Sequence, residues 1–253
     1  GTAAVWTAAV LPGLRGCAVK IRDRKENGKK RGAEKGSFLF PLEGEAELLK
    51  VLTWSANEPG GEPLCPELPR FVDYFQDGKR EYLVMEYLRG VTLGAYLRGG
   101  NVCPEEDILK LSIGLCGFLE KLHRHVPPIL YLDLAPDNIL LTPSGGFRIT
   151  DLGAAAAWHW REKLAETILY GTPGYAAPEQ YHGQPGPASD IYSLGILIHL
   201  LCSSEKTDSQ HPSKCQHMLK DIVSTCTQKD PAQRYPDSLT LKRKLQAVLS
   251  DIR

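Results

Sequence analysis

Four things are scarce in this chain of 253 residues: a charge excess, long apolar runs, patterned cysteines and low-complexity sequence. Lys+Arg and Asp+Glu both number 30, so the net charge is near zero. Nucleic-acid and membrane-surface binders usually carry a basic excess, and neither class is expected here. The longest strongly apolar run, Leu194 to Cys202, falls well short of the roughly 20 residues that a bilayer-spanning helix needs, so no membrane contact is expected from this segment. The start, Gly1-Thr2-Ala3-Ala4, has no charged n-region, and no signal peptide is expected. The first residue is not Met, as in an excised piece of a longer protein. Seven cysteines (17, 65, 103, 116, 202, 215 and 226) form no Cys-x-x-Cys pair, which points to reduced, buried thiols and a cytoplasmic location rather than a disulfide framework. Cys215 and His217 alone make too small a set for a metal site.

What is present is ordinary for a globular protein: 42% hydrophobic and 24% charged residues, with length enough to bury a sizeable core. Cys17 to Ile21 alternates and reads as a strand. Residues 22 to 36 are basic and Gly-containing and read as a solvated loop. Glu43 to Leu52 places Leu48, Leu49 and Leu52 at helical spacing. Residues 55 to 69 are rich in Pro, Gly and Glu and read as a loop. Phe71 to Phe75 and Glu81 to Tyr87 read as a hairpin turning at Gln76-Asp77-Gly78-Lys79. From Gly90 onward the pattern turns helical. Pro104-Glu105-Glu106-Asp107 is a helix start, with acids facing the positive end of the dipole, and Ile108, Leu111, Leu115, Leu119 and Leu122 make its apolar stripe. Further helices are expected at 190–202, 216–227 and 237–250. A strand-rich third followed by helices predicts an α+β chain, divided into residues 1–88 and 89–253.

The chemistry sits in Tyr131-Leu132-Asp133-Leu134-Ala135-Pro136-Asp137-Asn138 and, beyond it, Asp151-Leu152-Gly153. Phosphoryl transfer needs a carboxylate to orient a hydroxyl, and an amide and a second carboxylate to hold the metal ions that neutralise a triphosphate. The run resembles the catalytic loop and metal-binding turn of eukaryotic-type protein kinases, His-Arg-Asp-Leu-Lys-Pro-x-Asn and Asp-Phe-Gly. Gly171-Thr172-Pro173-Gly174-Tyr175-Ala176-Ala177-Pro178-Glu179, with Gln180-Tyr181, resembles the end of a Ser/Thr kinase activation segment, especially in bacterial members.

The resemblance implies a two-lobed kinase-like fold and an activity: transfer of the ATP γ-phosphate, with Mg²⁺, to a serine or threonine of a protein substrate. It implies Asp133 as the residue that orients the acceptor hydroxyl, with Thr172 beside it. It implies Asn138 and Asp151 as metal ligands. Lys20, in an Ala-Val-Lys strand, would hold the α- and β-phosphates. Its partner would be Glu45, four residues before Leu49 and seven before Leu52; Glu47 is the alternative, off that face. Met85 would back the nucleotide pocket, Glu86 and Leu88 would offer backbone groups to adenine, and Val5, Ala18 and Leu140 would sandwich the ring. Asp190 would brace the catalytic loop, and Arg234 would pair with Glu179.

Three departures qualify the implied activity. The glycine-rich loop is reduced to Gly1-Thr2-Ala3-Ala4-Val5. Leu132 stands where the family has an Arg that meets an activation-segment phosphate. Ala135 stands where it has the Lys that neutralises the transferring group; Arg161 and Lys163 are the nearby cations in sequence. Two further readings therefore stand beside the active kinase: a pseudokinase acting as a nucleotide-binding scaffold with little or no transfer, and a small-molecule kinase, against which the Ala-Pro-Glu platform argues.

Overall fold

A computed structural model describes residues 4–8, 16–23, 42–53, 62–157, 171–204 and 213–252. The first three residues of the shortened glycine loop, the basic stretch from residue 24 onward, Arg161 and Lys163 lie outside them. In chain order the described elements begin with β1 (Ala4–Ala8), β2 (Cys17–Asp23), α1 (Leu42–Thr53), β3 (Phe71–Asp77), β4 (Arg80–Glu86), β5 (Val91–Thr92), α2 (Leu93–Arg98) and α3 (Glu105–His123). They continue with β6 (Ile129–Leu130), β7 (Ile139–Leu141), β8 (Phe147–Ile149), β9 (Ala156–Ala157), α4 (Pro187–Ser204), α5 (Lys214–Cys226) and α6 (Ser238–Asp251). The fold is α+β, and the chain divides into two compact units: residues 1–90 with 140–153, and residues 91–139 with 154–253.

The first unit is built on an antiparallel sheet of order β1-β2-β4-β3. The β3–β4 hairpin turns at Gly78, whose φ of 55° is the left-handed conformation that glycine adopts without a Cβ clash. Its strands run to Asp77 and from Arg80, so the turn is tighter than the four residues read from the sequence. Helix α1 packs on β3 and β4. It buries Leu42, Ala46, Leu49 and Leu52 along one face, and the carboxylate residue Glu45 lies buried on that same face. Strands β7 and β8 are hydrogen-bonded neighbours that carry the chain into Asp151-Leu152-Gly153.

The second unit is helical. Helix α3 opens on Glu105, Glu106 and Asp107 and buries Ile108, Leu115, Leu119 and Leu122. Leu111 is only half-buried, while its neighbour Ser112 is buried and satisfied by donating its hydroxyl to the Ile108 carbonyl at 2.7 Å. Helix α4 starts at Pro187, about one turn before the expected start at residue 190, because proline suits the first helical turn. Its Ile191, Leu194, Leu197, Ile198 and Leu201 are all buried. Helix α3 packs against α4 and α6, and α4 against α5. At Gly195 an added Cβ would sit 2.4 Å from the Cys226 Cβ, so the absence of a side chain there lets α4 and α5 approach closely. No helix among the described residues is long and apolar enough to cross a membrane.

Candidate functional site

The alternation of β2 puts Ala18 and Lys20 on one face of the strand. Opposite Lys20 in the ladder is Val5 of β1. The Lys20 ammonium donates to Glu45 Oε1 at 2.9 Å, Glu45 Oε2 at 2.8 Å and Asp151 Oδ1 at 2.9 Å. These contacts use its three hydrogens. The Lys20 and Glu45 side chains are only 9% and 8% exposed, whereas Asp151 is 40% exposed and opens the trio to solvent. Glu47 is exposed, so the helix face selects Glu45. Burial by itself would lower the Lys20 pKa; the Glu45 and Asp151 carboxylates outweigh that and raise it above 10.5. Two carboxylates share one ammonium, and burial pushes the Glu45 carboxyl up despite its partner. Gly153 closes the group: its N–H donates to Asp151 Oδ1 at 2.6 Å, and a Cβ there would lie 2.9 Å from that oxygen.

A cleft of about 200 Å³ borders this trio. Ala18, Lys20, Met85, Glu86, Leu88, Leu140 and Asp151 line it, all anticipated from sequence, together with Pro69, Tyr87 and Thr150, which were not. Val5 lies on β1, and its side chain falls outside the described ones. The Glu86 N–H is spent on the Arg70 carbonyl at 2.9 Å and the Tyr87 N–H on the Gly16 carbonyl at 2.6 Å. From its backbone, then, Glu86 has a carbonyl to offer. Its carboxylate accepts from Arg148 at 2.8 Å and from the Arg70 N–H at 3.1 Å. Arg148 also donates to the carbonyls of Glu67 and Leu68, which ties the cleft rim to β8. No periodicity in the sequence announced this network.

The second unit carries the other half of the expected residues. Asp190 at the start of α4 is fully buried and accepts the N–H groups of Tyr131 at 3.0 Å and Leu132 at 2.7 Å. His123 Nε2 lies 2.7 Å from the same carboxylate and donates to it, since the carboxylate can only accept. Asp133 is captured on both oxygens. Oδ1 accepts the Thr172 N–H and the Thr172 hydroxyl, each at 2.7 Å, and Oδ2 accepts the Asn138 amide at 2.7 Å. Asn138 Nδ2 also reaches the Asp133 carbonyl at 3.0 Å. The amide hydrogens therefore face Asp133, and Asn138 Oδ1 is the end of the side chain left to accept or to ligate. Further on, Arg234 pairs with Glu179 through both terminal guanidinium nitrogens, at 2.6 and 2.9 Å.

Two groupings thus form: Lys20, Glu45 and Asp151 in the first unit, and Asp133, Asn138 and Thr172 in the second. The expected metal ligands Asn138 and Asp151 fall one in each unit. Both offer oxygen, the donor that a hard divalent cation takes, and the excess negative charge of the Lys20 trio is of the sign such a cation requires. Among the described residues there is no group of three or more His, Cys, Asp or Glu placed to hold a metal by themselves, and the Cys215–His217 pair adds none.

Residues 63–207, more than half of the chain, match the protein kinase domain family. The chain is 31% identical to the serine/threonine-protein kinase drp72 of Corynebacterium efficiens, over 66% of this chain and 35% of that protein. It is 25% identical to the serine/threonine-protein kinase PknL of Mycobacterium tuberculosis, over 71% of this chain and 50% of that one. With the serine/threonine-protein kinase PknA of Corynebacterium glutamicum the identity is 25% over 98% of this chain and 54% of that one. The chain spans about half, or less, of the length of these relatives.

Proposed function

The chain belongs to the protein kinase domain family, and from that premise we propose that it transfers the γ-phosphoryl group of ATP to a serine or threonine hydroxyl of a protein substrate. The observation that carries the reading is the Asp133 carboxylate, held on one oxygen by Asn138 and accepting an alcohol hydroxyl, that of Thr172, on the other. A carboxylate that orients one hydroxyl by a 2.7 Å bond is built to orient another. Adenine would lie in the cleft against Ala18 and Leu140, with the Glu86 carbonyl and the Leu88 backbone on its polar edge and Met85 behind, and with Val5 as the third apolar residue that the resemblance implies. Lys20, fixed by Glu45, directs its charge at the α- and β-phosphates. Asn138 and Asp151 are the residues that the resemblance assigns to Mg²⁺, which would neutralise charge on the triphosphate. Thr172, beside Asp133, favours Ser or Thr over the longer tyrosine.

A second reading rests on Ala135, which is 2% exposed and supplies no cation to the transferring group. On it the chain binds nucleotide as a scaffold and transfers little or nothing. Labelled ATP with Mg²⁺, the purified chain and a generic protein substrate separates the two, with Asp133→Asn as the control. The kinase reading expects label on Ser or Thr, lost in Asp133→Asn while nucleotide binding persists, because this group acts mainly in the transition state. Nucleotide binding with no label in the native chain favours the scaffold. Label mainly on tyrosine refutes the acceptor assignment.

A further inference from the structure

Leu132 is the described non-glycine residue with a positive φ, 65°. For a branched side chain that conformation costs on the order of 1 kcal/mol or more, and it persists only where the surroundings over-determine it. Both ends of the residue are gripped. Its N–H goes to Asp190 Oδ1 at 2.7 Å, and its carbonyl accepts from Gln180 Nε2 at 3.0 Å. Gln180 is completely buried, and its other end, Oε1, accepts the Ala177 N–H at 2.9 Å. Each end of the carboxamide therefore has a partner of the opposite kind, and a flip would set donor against donor and acceptor against acceptor. The chain is cut away to admit the contact: at Gly171 a Cβ would stand 2.5 Å from the Leu132 carbonyl oxygen and 3.2 Å from Gln180 Nε2.

The carbonyl that Gln180 holds belongs to the peptide leading into Asp133. We infer that Gln180 is a positioning residue for phosphoryl transfer: it locks the Leu132–Asp133 peptide so that the Asp133 carboxylate is aimed at the acceptor hydroxyl, and it ties that aim to the Ala177-Pro178-Glu179 turn. The inference rests on the transfer reaction proposed above. Leu132 has no charge through which a phosphate could order the loop, whereas the Gln180 hydrogen bond is neutral and buried and needs no modification to form. Displacing a catalytic group by about 1 Å can cost about 10²-fold in rate. The effect of losing Gln180 therefore belongs in kcat, and the nucleotide cleft, which lies in the other unit, keeps its ATP affinity.

Gln180→Glu is the discriminating variant because it has the same shape and a switchable donor. Ionised, it offers two acceptors and nothing for the Leu132 carbonyl. Protonated, its O–H replaces the Nε2–H while the other oxygen still accepts from Ala177. The charged and titratable groups near it are Asp190, on the far side of the Leu132 residue and bonded to His123, Asp133 next along the chain, and Glu179, already paired with Arg234; His123 is common to the native chain and the variant, so the variant/native ratio removes its effect. Burial and the neighbouring Asp190 and Asp133 carboxylates both favour the protonated form. Relative to the native chain at the same pH, Gln180→Glu is expected to lose about 10²-fold in kcat near pH 8 and to recover most of it near pH 6. Gln180→Met, which has no donor, is expected to stay low at both, with KM for ATP unchanged and melting temperatures recorded alongside to count folded molecules. A Gln180→Met protein with native kcat overturns the inference, as does a Gln180→Glu/native ratio that does not rise on acidification. If the native chain itself transfers nothing, the proposed function fails first and this positioning role with it; if it transfers and Gln180→Met is indifferent, the positioning role alone fails.

Discussion

Replacing Lys20 by Met tests whether the buried trio is held by its ammonium. The swap nearly keeps the volume and removes three hydrogen bonds of 2.8–2.9 Å. Glu45 and Asp151 are then left facing each other without a cation. Removing one partner of a buried ion pair costs roughly 3–5 kcal/mol, because the survivor is charged and unsatisfied. Glu45, the more buried of the two, has a way to lower that cost by taking up a proton. From pH 7 to the ordinary glutamate value of 4.5 that uptake costs about 3.4 kcal/mol, at 1.36 kcal/mol per unit. A loss on the order of 3 kcal/mol at neutral pH follows. For a protein of this size that lowers the melting temperature by roughly 6–12 °C. The pH dependence carries the sign. In the variant the native state holds a proton that the unfolded Glu45 does not, so the deficit shrinks by up to about 1.4 kcal/mol for each pH unit lowered from 7. In the native chain the Lys20 contribution is fully present below 10.5 and is lost only as pH rises through its higher folded pKa, so it is flat over the same window. Thermal melts of both proteins between pH 7 and 5.5, with and without Mg-ATP, measure all of this. A variant within about 2 °C of native at pH 7, or one whose deficit grows on acidification, refutes the reasoning.

Arg234→Ala is expected to cost roughly 3–5 kcal/mol in urea or thermal unfolding, because it strips Glu179 of both guanidinium bonds and removes the bonds to the Ala188 and Gln228 carbonyls. Burial would raise the Glu179 pKa, but its bonds from Arg234 and Ser189 hold it below the usual 4.5, so this contribution is complete above 4.5 and fades as pH falls through the lower folded value. A native chain with no loss of stability below pH 4.5 would contradict that assignment. Gly195→Ala is expected to cost roughly 1–3 kcal/mol by forcing α4 away from Cys226, and a melting temperature equal to native would show that α5 yields freely.

Much of the candidate site's geometry is legible in the sequence because it is local or periodic. Counting back from Leu49 and Leu52 selects Glu45 over Glu47, and the helix buries Glu45 with both of them and exposes Glu47. Asp133 and Asn138 are five residues apart, and one tight turn at Pro136–Asn138 returns the amide to the carboxylate. Helix α4 was read from its apolar run, which hid the proline-led first turn before it. Ser112 displaced Leu111 from the buried stripe because its hydroxyl has a partner inside the helix. What could not be read were side chains that hold distant backbone. Gln180 meets the Leu132 carbonyl across 48 residues, and Arg148 meets the Leu68 carbonyl across 80. Neither contact leaves a period, because a carbonyl is present at every residue and so marks none.

The departures at residues 132 and 135 then take on a common physical sense. A loop ordered by an exposed ion pair weakens as salt screens it, over a Debye length of about 8 Å at physiological ionic strength. This loop has such a pair, Arg98 with Asp137, both more than 60% exposed, and it is worth little. The bonds that fix Asp133 are of another kind. Asp190, fully buried, grips two backbone N–H groups; Gln180, equally buried, grips the carbonyl between them and Asp133; and Asn138 and Thr172 close on the carboxylate itself. Most are buried dipole–dipole or charge–dipole bonds, which salt reaches poorly. Replacing arginine by leucine at 132 removes a charge that such a frame does not use. The same frame offers no cation at Ala135, so on the proposed transfer reaction these two residues together favour a slow step from a loop that needs no phosphate to hold it. Rate measurements in rising salt separate the two origins of order: a kcat that holds while the Arg98–Asp137 pair is screened belongs to the buried frame, and one that falls with screening belongs to the pair.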